Sequence, residues 1–329
     1  MNCPNFAELP PPPPGKTGWP WTEETPPVSG KMFDGKSWPK ISILTPSYNQ
    51  GQFIEETIRS VLLQGYPNLE YIIIDGGSTD NALDIIRKYQ AWLTYWVSEK
   101  DDGQTDAINK GFSRSTGDIL AWVNSDDFYF PGALSYVGNF FARRKGAHIL
   151  TGAHTDIDAE GKVLGYLWPV RTSFYRLLCF GMHFGQPASF WSRKAYEKAG
   201  GMDTSIDFCM DYDLLLRMTR HYHSHSTKIP LAYFRVHKDT KTSNLQHIKE
   251  KEDRILHERF GKSNVSRFRR EWEWFKYRAE SFPHTKWQKA AFFWRFGSAW
   301  PWLGSSEMTS QHMLPSRWAA LGTNKTGLS

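Results

Sequence analysis

The chain has 329 residues, 40% of them hydrophobic, which suffices for one large α/β domain with an appendage and excludes a wholly disordered protein. Its formal net charge of +6 favours acidic partners (phosphorylated ligands, nucleic acid or anionic lipid headgroups) without choosing among them. Cys3, Cys179 and Cys209 stand far apart with no CxxC spacing, which argues against a disulfide framework or a structural zinc site and points to a reducing cytoplasm.

Residues 1–38 are rich in Pro, Gly and Thr, include the run Pro10 to Pro14, and read as an extended or disordered arm onto which Trp19, Trp21 and Trp38 invite packing. From Lys40 strands alternate with helices, the grammar of parallel crossovers. Ile41 to Thr45 is a β-branched strand, and Ile54, Ile58, Val61 and Leu62 recur at helical spacing. Leu69 to Ile74 is a buried-type strand, followed by the turn Asp75-Gly76-Gly77 and a helix with Ser78, Thr79 or Asp80 as its N-cap. Tyr95 to Val97 is a third strand, Asp106 to Phe112 a helix, and Ile119 to Val123 a fourth strand running into Asn124-Ser125-Asp126-Asp127, after which Pro131 opens another helix. Further on, His148 to Asp156 and Lys162 to Trp168 flank a polar turn as a hairpin, helices are expected near Phe174, Lys194 and Leu214, and Leu231 to Val236 is a strand. From about residue 244 the pattern is helical. No apolar run approaches the roughly 20 residues that span a bilayer, and the N-terminus lacks a basic region followed by an apolar stretch, so any membrane association is expected to be peripheral.

Three strands end in polar loops: Thr45 to Asn49, Asp75 to Gly77, and Asn124 to Asp127. Asp and Asn close strands simply because they make turns, but ligands of open α/β sheets bind beyond the carboxyl ends of the strands, and three such loops on one rim make a site for a polar ligand. Asp126 and Asp127 repel each other unless something positive lies between them. A hard divalent cation, Mn²⁺ or Mg²⁺, takes oxygen ligands and completes its shell with substrate phosphates.

With these segments in hand, residues about 40 to 245 resemble the catalytic domain of glycosyltransferase family 2, which has the GT-A fold: a Rossmann-like, mostly parallel α/β sheet flanked by helices. The resemblance rests on Ser42 to Asn49, Tyr71 to Asp80, Asn124 to Asp127, Gly185-Gln186-Pro187, Met210 to Leu214 and Arg235-Val236-His237, in that order. It implies a nucleotide-sugar donor, with Pro46, Tyr48 and Asp75 at the nucleotide and Gln104, Asp106 and Asn109 facing the donor ribose and sugar. Asn124 and Asp126 fill the outer positions of the family's DxD motif, which implies Asp126 as the main metal ligand, with His237 helping to bind the metal or the pyrophosphate. Asp211 matches the family's catalytic base, ionised at neutral pH if exposed, with Asp213 as the competing candidate; Gln186 is assigned a sugar contact. The chain departs from the pattern at Asn124, at Ile108 where many relatives carry Arg, and at Met210 where an acid often stands.

The division expected is therefore a Pro-rich arm (1–38), a catalytic domain (39–245) and a basic, Trp-rich, mainly helical C-terminal extension (246–329). Between His247 and Phe296 stand 13 Lys or Arg and 7 Asp or Glu, a surplus equal to the net charge of the whole chain. Trp272, Trp274, Trp287, Phe292, Phe293, Trp294, Trp300 and Trp302 lie among Arg269, Arg270, Lys286, Lys289 and Arg295, which reads either as an interfacial segment on anionic lipid or as helices packed on the catalytic domain. The expectation is a cytoplasmic, metal-dependent, inverting glycosyltransferase acting on a glycan or lipid-linked acceptor, peripheral on the inner membrane face. Two alternatives stay open: a non-catalytic nucleotide-sugar-binding module, kept alive by Asn124, Ile108 and Met210, and a nucleotidyltransferase, disfavoured because Thr45 to Gln50 offers no cation. The basic surplus is joined to no recognised nucleic-acid motif, so no nucleic-acid partner is expected.

Overall fold

In the computed structural model, residues 3–238, 240–241 and 246–281 are described. The chain divides into two compact units, Met1–Tyr277 and Arg278–Ser329, and of the second only residues 278–281 are described.

The runs Ile41-Ser42-Ile43-Leu44 and Tyr71-Ile72-Ile73-Ile74 are apolar on both faces, so each strand needs cover on both sides, which a parallel sheet between helices supplies. They become β1 (Ile41–Ser47) and β2 (Leu69–Asp75), linked through α1 (Ile54–Leu62). The series continues with α2 (Ala82–Tyr89), β3 (Tyr95–Ser98), α3 (Gln104–Arg114) and β4 (Ile119–Trp122). Alternate residues serve opposite cores, as the two-residue period of a strand dictates. Ile41, Ile43, Tyr71 and Ile73 pack with Ile54, Ile58, Val61 and Ile86, while Leu44, Ile72 and Ile74 pack with Ala107, Ile108 and Phe112.

Then follow β5 (Phe128–Tyr129), α4 (Ala133–Arg143), β6 (Ile149–Ile157), β7 (Val163–Leu167), α5 (Phe174–Phe180), β8 (Ser189–Ser192), α6 (Arg193–Ala199), α7 (Met210–Thr219) and β9 (Ser224–Arg235). After them come α8 (Gln246–Arg259) and α9 (Arg267–Ser281). The strands form one mixed sheet in the order β3-β2-β1-β4-β8-β6-β9-β5, with β7 paired to β6 in the expected hairpin. The first four are mutually parallel, β8 runs antiparallel to both β4 and β6, and β9 is parallel to β6. The fold class is the α/β class read from the sequence.

Two strands have no counterpart in the sequence reading. β5, of two residues, is too short to show a period, and β8 stands out only as Phe190-Trp191 between serines. β9 begins at Ser224 rather than Leu231, because its first half is a polar run through which the register against β6 shifts near Ala153 and Pro230. α2 starts at Ala82, after the Ser78 to Asp80 segment expected to cap it; Asp80 still accepts from the Ala82 N–H at 3.0 Å.

The N-terminal arm is held rather than loose. Leu9 and Trp21 are buried, and the Trp19 Nε1–H donates to the Tyr129 carbonyl at 2.8 Å. Its anchor is Arg59 of α1, wholly buried, which donates to the carbonyls of Pro10, Pro20 and Trp21 and to the Tyr89 hydroxyl. Gly65 lies directly under the crossing arm: a Cβ there would come within 2.7 Å of the Thr25 carbonyl oxygen, and its φ of +60° is glycine territory. Hydrogen bonds to a charged group are worth about 1.5–3 kcal/mol each, so Arg59→Ala is expected to cost at least about 3 kcal/mol. Urea denaturation checks the stability, and limited proteolysis should find new cleavage within residues 3–38.

Candidate functional site

Parallel pairing sends the carboxyl ends of β1, β2, β3 and β4 to one edge of the sheet, with Ser47 beside Asp75, Asp75 beside Ser98, and Leu44 beside Trp122. The three polar loops foreseen from the sequence therefore share a rim. Pro46 sits within β1, opposite Ile74. Tyr48 follows with its side chain 62% exposed, an unoccupied ring face at the mouth of the rim. Asn49, at a left-handed φ of 53°, accepts from the Thr79 N–H at 2.8 Å, and Gly51 N–H donates to Asp80, so the first two loops are stitched together.

Asp75 is wholly buried. Its oxygens accept from the Gly77 and Ser78 N–H groups and from the hydroxyls of Ser78 (2.5 Å) and Ser98 (2.6 Å). In the form described it organises the turn after β2. Next to it lies Asp101, which the sequence reading left without a role. A Cβ on Gly76 would come within 2.8 Å of the Asp101 carboxylate, which would have to move aside, and burial pushes the Asp101 carboxyl up.

At the start of α3, Gln104 donates through Nε2 to Asn124 Oδ1 at 2.7 Å, joining the helix to the loop after β4. Asp106 accepts from the Asp102 N–H and pairs with Lys110 at 3.0 Å. Asn109 points elsewhere. Its amide is engaged with the Met202 backbone on both sides and with the Tyr196 hydroxyl, and so braces the turn after α6. Gln186, buried beneath the rim, donates to the carbonyl of Trp122, while its Oε1 has no protein partner. A buried acceptor left unpaired costs about 1–3 kcal/mol, which a ligand hydroxyl would relieve.

The Asp126-Asp127 pair resolves its repulsion differently from the expectation of a cation between the two. Asp127 turns inward, accepting from the Arg235 N–H at 2.8 Å and the Asn124 amide at 3.4 Å; burial, and then the Asp126 charge, push its carboxyl well up. Asp126 turns the other way and meets His237 Nε2 at 3.0 Å, with the imidazole packed on the Phe53 ring at 4.8 Å. Arg235, of which the sequence reading noted only its place before His237, is 2% exposed and reaches two loops and α1. Its side chain donates to the carbonyls of Asp126, Asp158 and Ala159 and pairs with Glu56 at 2.6 Å. The signal available in the sequence was an arginine at the end of an otherwise apolar strand.

No group of three or more His, Cys, Asp or Glu side chains gathers as a metal site among the described residues. Asp126 with His237 still fits a divalent ion of the Mg²⁺ or Mn²⁺ kind, which is commonly held by one or two carboxylates together with waters and substrate phosphates.

The segment ahead of α7 joins the same rim. Thr105, beside Gln104, donates to the Ile206 carbonyl at 3.1 Å and contacts the Met210 sulfur, which brings Met210-Asp211 to the start of α3. Asp213, the competing base, is fully buried in ion pairs with Arg217 (2.6 Å) and Arg259 (3.2 Å) and is spoken for.

Comparison with known proteins follows from this geometry. Residues 42–200 match the family described as glycosyl transferase family 2. An uncharacterized glycosyltransferase of Mycobacterium tuberculosis is 29% identical over 184 residues, which make up 55% of this chain and 69% of that protein. Among solved structures, S. aureus TarS in complex with UDP aligns with a TM-score of 0.53 at 16% identity, covering 78% of each chain. Mannosyltransferase PcManGT from Pyrobaculum calidifontis, in complex with GDP-Man and Mn²⁺, aligns with a TM-score of 0.51 at 18% identity, covering 85% of this chain and 83% of that one. These two likenesses are likenesses of fold.

Asp211 differs from the exposed, ordinary aspartate expected of it. It is half-buried, and burial pushes its carboxyl up to about 6, against the pull of the Tyr212 N–H and Lys241 and with a smaller push from Asp253. A carboxyl raised in the folded state stabilises the fold when protonated, and that contribution is lost as pH rises through about 6. Asp211→Asn is therefore expected to raise the thermal midpoint at pH 7 to 8 by a few degrees, with the advantage shrinking below pH 6 and gone below about 4. Melting curves across that range check it.

Proposed function

Because the chain belongs to glycosyl transferase family 2 through residues 42–200 and folds like the GT-A transferases, we propose that it moves a sugar, with inversion, from a UDP-sugar to a hydroxyl of a glycan or lipid-linked acceptor. The observation that carries the reading is the unbroken run of contacts over one sheet rim: His237 to Asp126, Arg235 to Asp127, Asn124 to Gln104, and Thr105 to the segment ending at Asp211.

The exposed ring of Tyr48 offers a stacking face for the nucleotide base, with Pro46 and the Asp75 turn forming the floor beneath it. Gln104, Asp106 and Asn124 line the way to the donor ribose and sugar, Asn109 acts by bracing the neighbouring turn, and the orphaned Gln186 Oε1 receives a sugar hydroxyl. Asp126 and His237 would hold Mn²⁺ or Mg²⁺, whose charge offsets the negative charge of the departing diphosphate. Asp211 takes the proton of the acceptor hydroxyl as the acceptor oxygen bonds to the anomeric carbon. The bond from that carbon to the diphosphate breaks, and its electron pair leaves with the diphosphate. A carboxyl near 6 suits this task, being mostly ionised at pH 7 yet more basic than a free aspartate.

The reading includes a location. Phe268, Trp272 and Phe275 recur on one face of α9 and are 77%, 46% and 63% exposed, with Arg267 beside them. Such a face suits an anionic lipid surface, with rings at headgroup level and a cation on the phosphates. Peripheral attachment on the cytoplasmic side would bring the site to a lipid-linked acceptor. No helix among the described residues is long and apolar enough to cross a membrane. Trp287, Phe292, Phe293, Trp294, Trp300 and Trp302, with Lys286, Lys289 and Arg295, lie outside the described residues.

Transfer from a UDP-sugar is expected to fall by about 10²-fold or more in Asp126→Ala and in Asp211→Asn. Calorimetry with UDP and Mn²⁺ should show binding weakened in the first and kept in the second; intact turnover in both would reject the mechanism, and nucleotide binding without turnover in the unaltered chain would favour a non-catalytic module. The transfer rate should climb through about pH 6 and then level, following ionisation of Asp211. Replacing Phe268, Trp272 and Phe275 together by Ser in the full chain should abolish flotation with phosphatidylserine liposomes; unchanged flotation removes the membrane reading.

A further inference from the structure

Cys209, the residue that precedes α7, makes no side-chain cap, and the turn that leads into the helix, Asp207 to Cys209, is held instead by a side chain of α8, 43 residues beyond Cys209. The Glu252 carboxylate, 6% exposed, accepts from three consecutive backbone N–H groups: Asp207 at 2.9 Å, Phe208 at 2.9 Å and Cys209 at 2.8 Å. Hydrogen bonds to a charged acceptor are the strong kind, and three on one carboxylate fix the turn in one geometry.

The same helix takes hold a second time. Arg259, at the end of α8, pairs with Asp203 at 2.6 Å and Asp213 at 3.2 Å, on either side of Asp211 in the chain. Leu256, between the two, is wholly buried in the core that contains Met210, Leu214 and Leu215, so α8 cannot shift without dragging the head of α7. Asp211 lies two residues beyond the last N–H that Glu252 receives.

We infer that Glu252 is a positioning residue for the base: by gripping the 207–209 turn it sets where the Asp211 carboxylate points. The inference rests on Asp211 being the base, as proposed above. It assigns part of the catalytic geometry to a helix beyond the segment matched by the family, through contacts with backbone rather than with any reacting group.

Two variants of the full chain test it, Glu252→Ala and Glu252→Gln, the amide keeping one acceptor oxygen for the turn. In Glu252→Ala, kcat is expected to fall by about 10²-fold, the scale of a misplacement near 1 Å, with the donor KM within twofold of the parent. Glu252→Gln should recover part of the loss. Amide hydrogen exchange should quicken at residues 207–211 and stay unchanged in β1 and β2. A kcat within twofold of the parent in Glu252→Ala overturns the inference. So does a parallel decline of kcat, KM and exchange protection throughout both variants, which would mark Glu252 as a general support. If the unaltered chain transfers from no nucleotide-sugar, the proposed function fails on its own, and exchange alone decides the grip on 207–209: quickening confined there upholds it, and none refutes it.

Discussion

A guanidinium with almost no access to water has to find all its acceptors inside the protein, and Arg235 finds them on three separate stretches of chain. It ends β9, in the part of the sheet beyond β8, yet its donors go to the Asp126 carbonyl after β4, to the loop after β6 and to Glu56 on α1. Its backbone N–H meanwhile takes the inward-turned carboxylate of Asp127. The two parts of the sheet thus meet around one cation, and removing it would strand the Glu56 carboxylate as well as three carbonyls. The outward orientation of Asp126 and its meeting with His237 two residues along from Arg235 both follow from this arrangement.

The rim is held together differently at its two ends. The end at β1 to β3 is cross-stitched by Asn49, Asp75, Ser78 and Ser98, which tie the loops after those strands to one another. The end at α7 carries two acidic residues that have parted company: Asp213 is neutralised by two arginines, whereas burial leaves Asp211 with a raised affinity for protons. Between the two ends run only a few side-chain contacts, Gln104 to Asn124 and Thr105 to Met210.

The parts legible in the sequence were those dictated locally. β1, β2 and β4 declared themselves by β-branched runs that end in Asp or Asn, and parallel topology then placed those ends together. What stayed hidden depends on residues far away in the chain. The opposite turns of Asp126 and Asp127 are imposed by Arg235, more than a hundred residues on, and neither the spacing nor the types of the two acids contain that information. Asn109 looked like a donor contact because of its place on α3, but the turn at Met202 claims its amide. The shifted titration of Asp211 is a product of burial, which a motif does not report. β5 escaped because two residues cannot display a period, and β8 because its two aromatic residues stand between serines.

The passage of Thr25 to Pro27 over Gly65 bears on where the domain can be cut. The family resemblance begins near residue 42, which tempts one to trim the chain at Lys40 for crystallisation or assay. Such a fragment would open a trench along α1, uncover the apolar ground under Leu9 and Trp21, and leave the Arg59 cation facing it with three carbonyl partners gone. Residues 3–40 behave as a strap sewn to the body, and a usable truncation has to keep them or replace the arginine along with the strap.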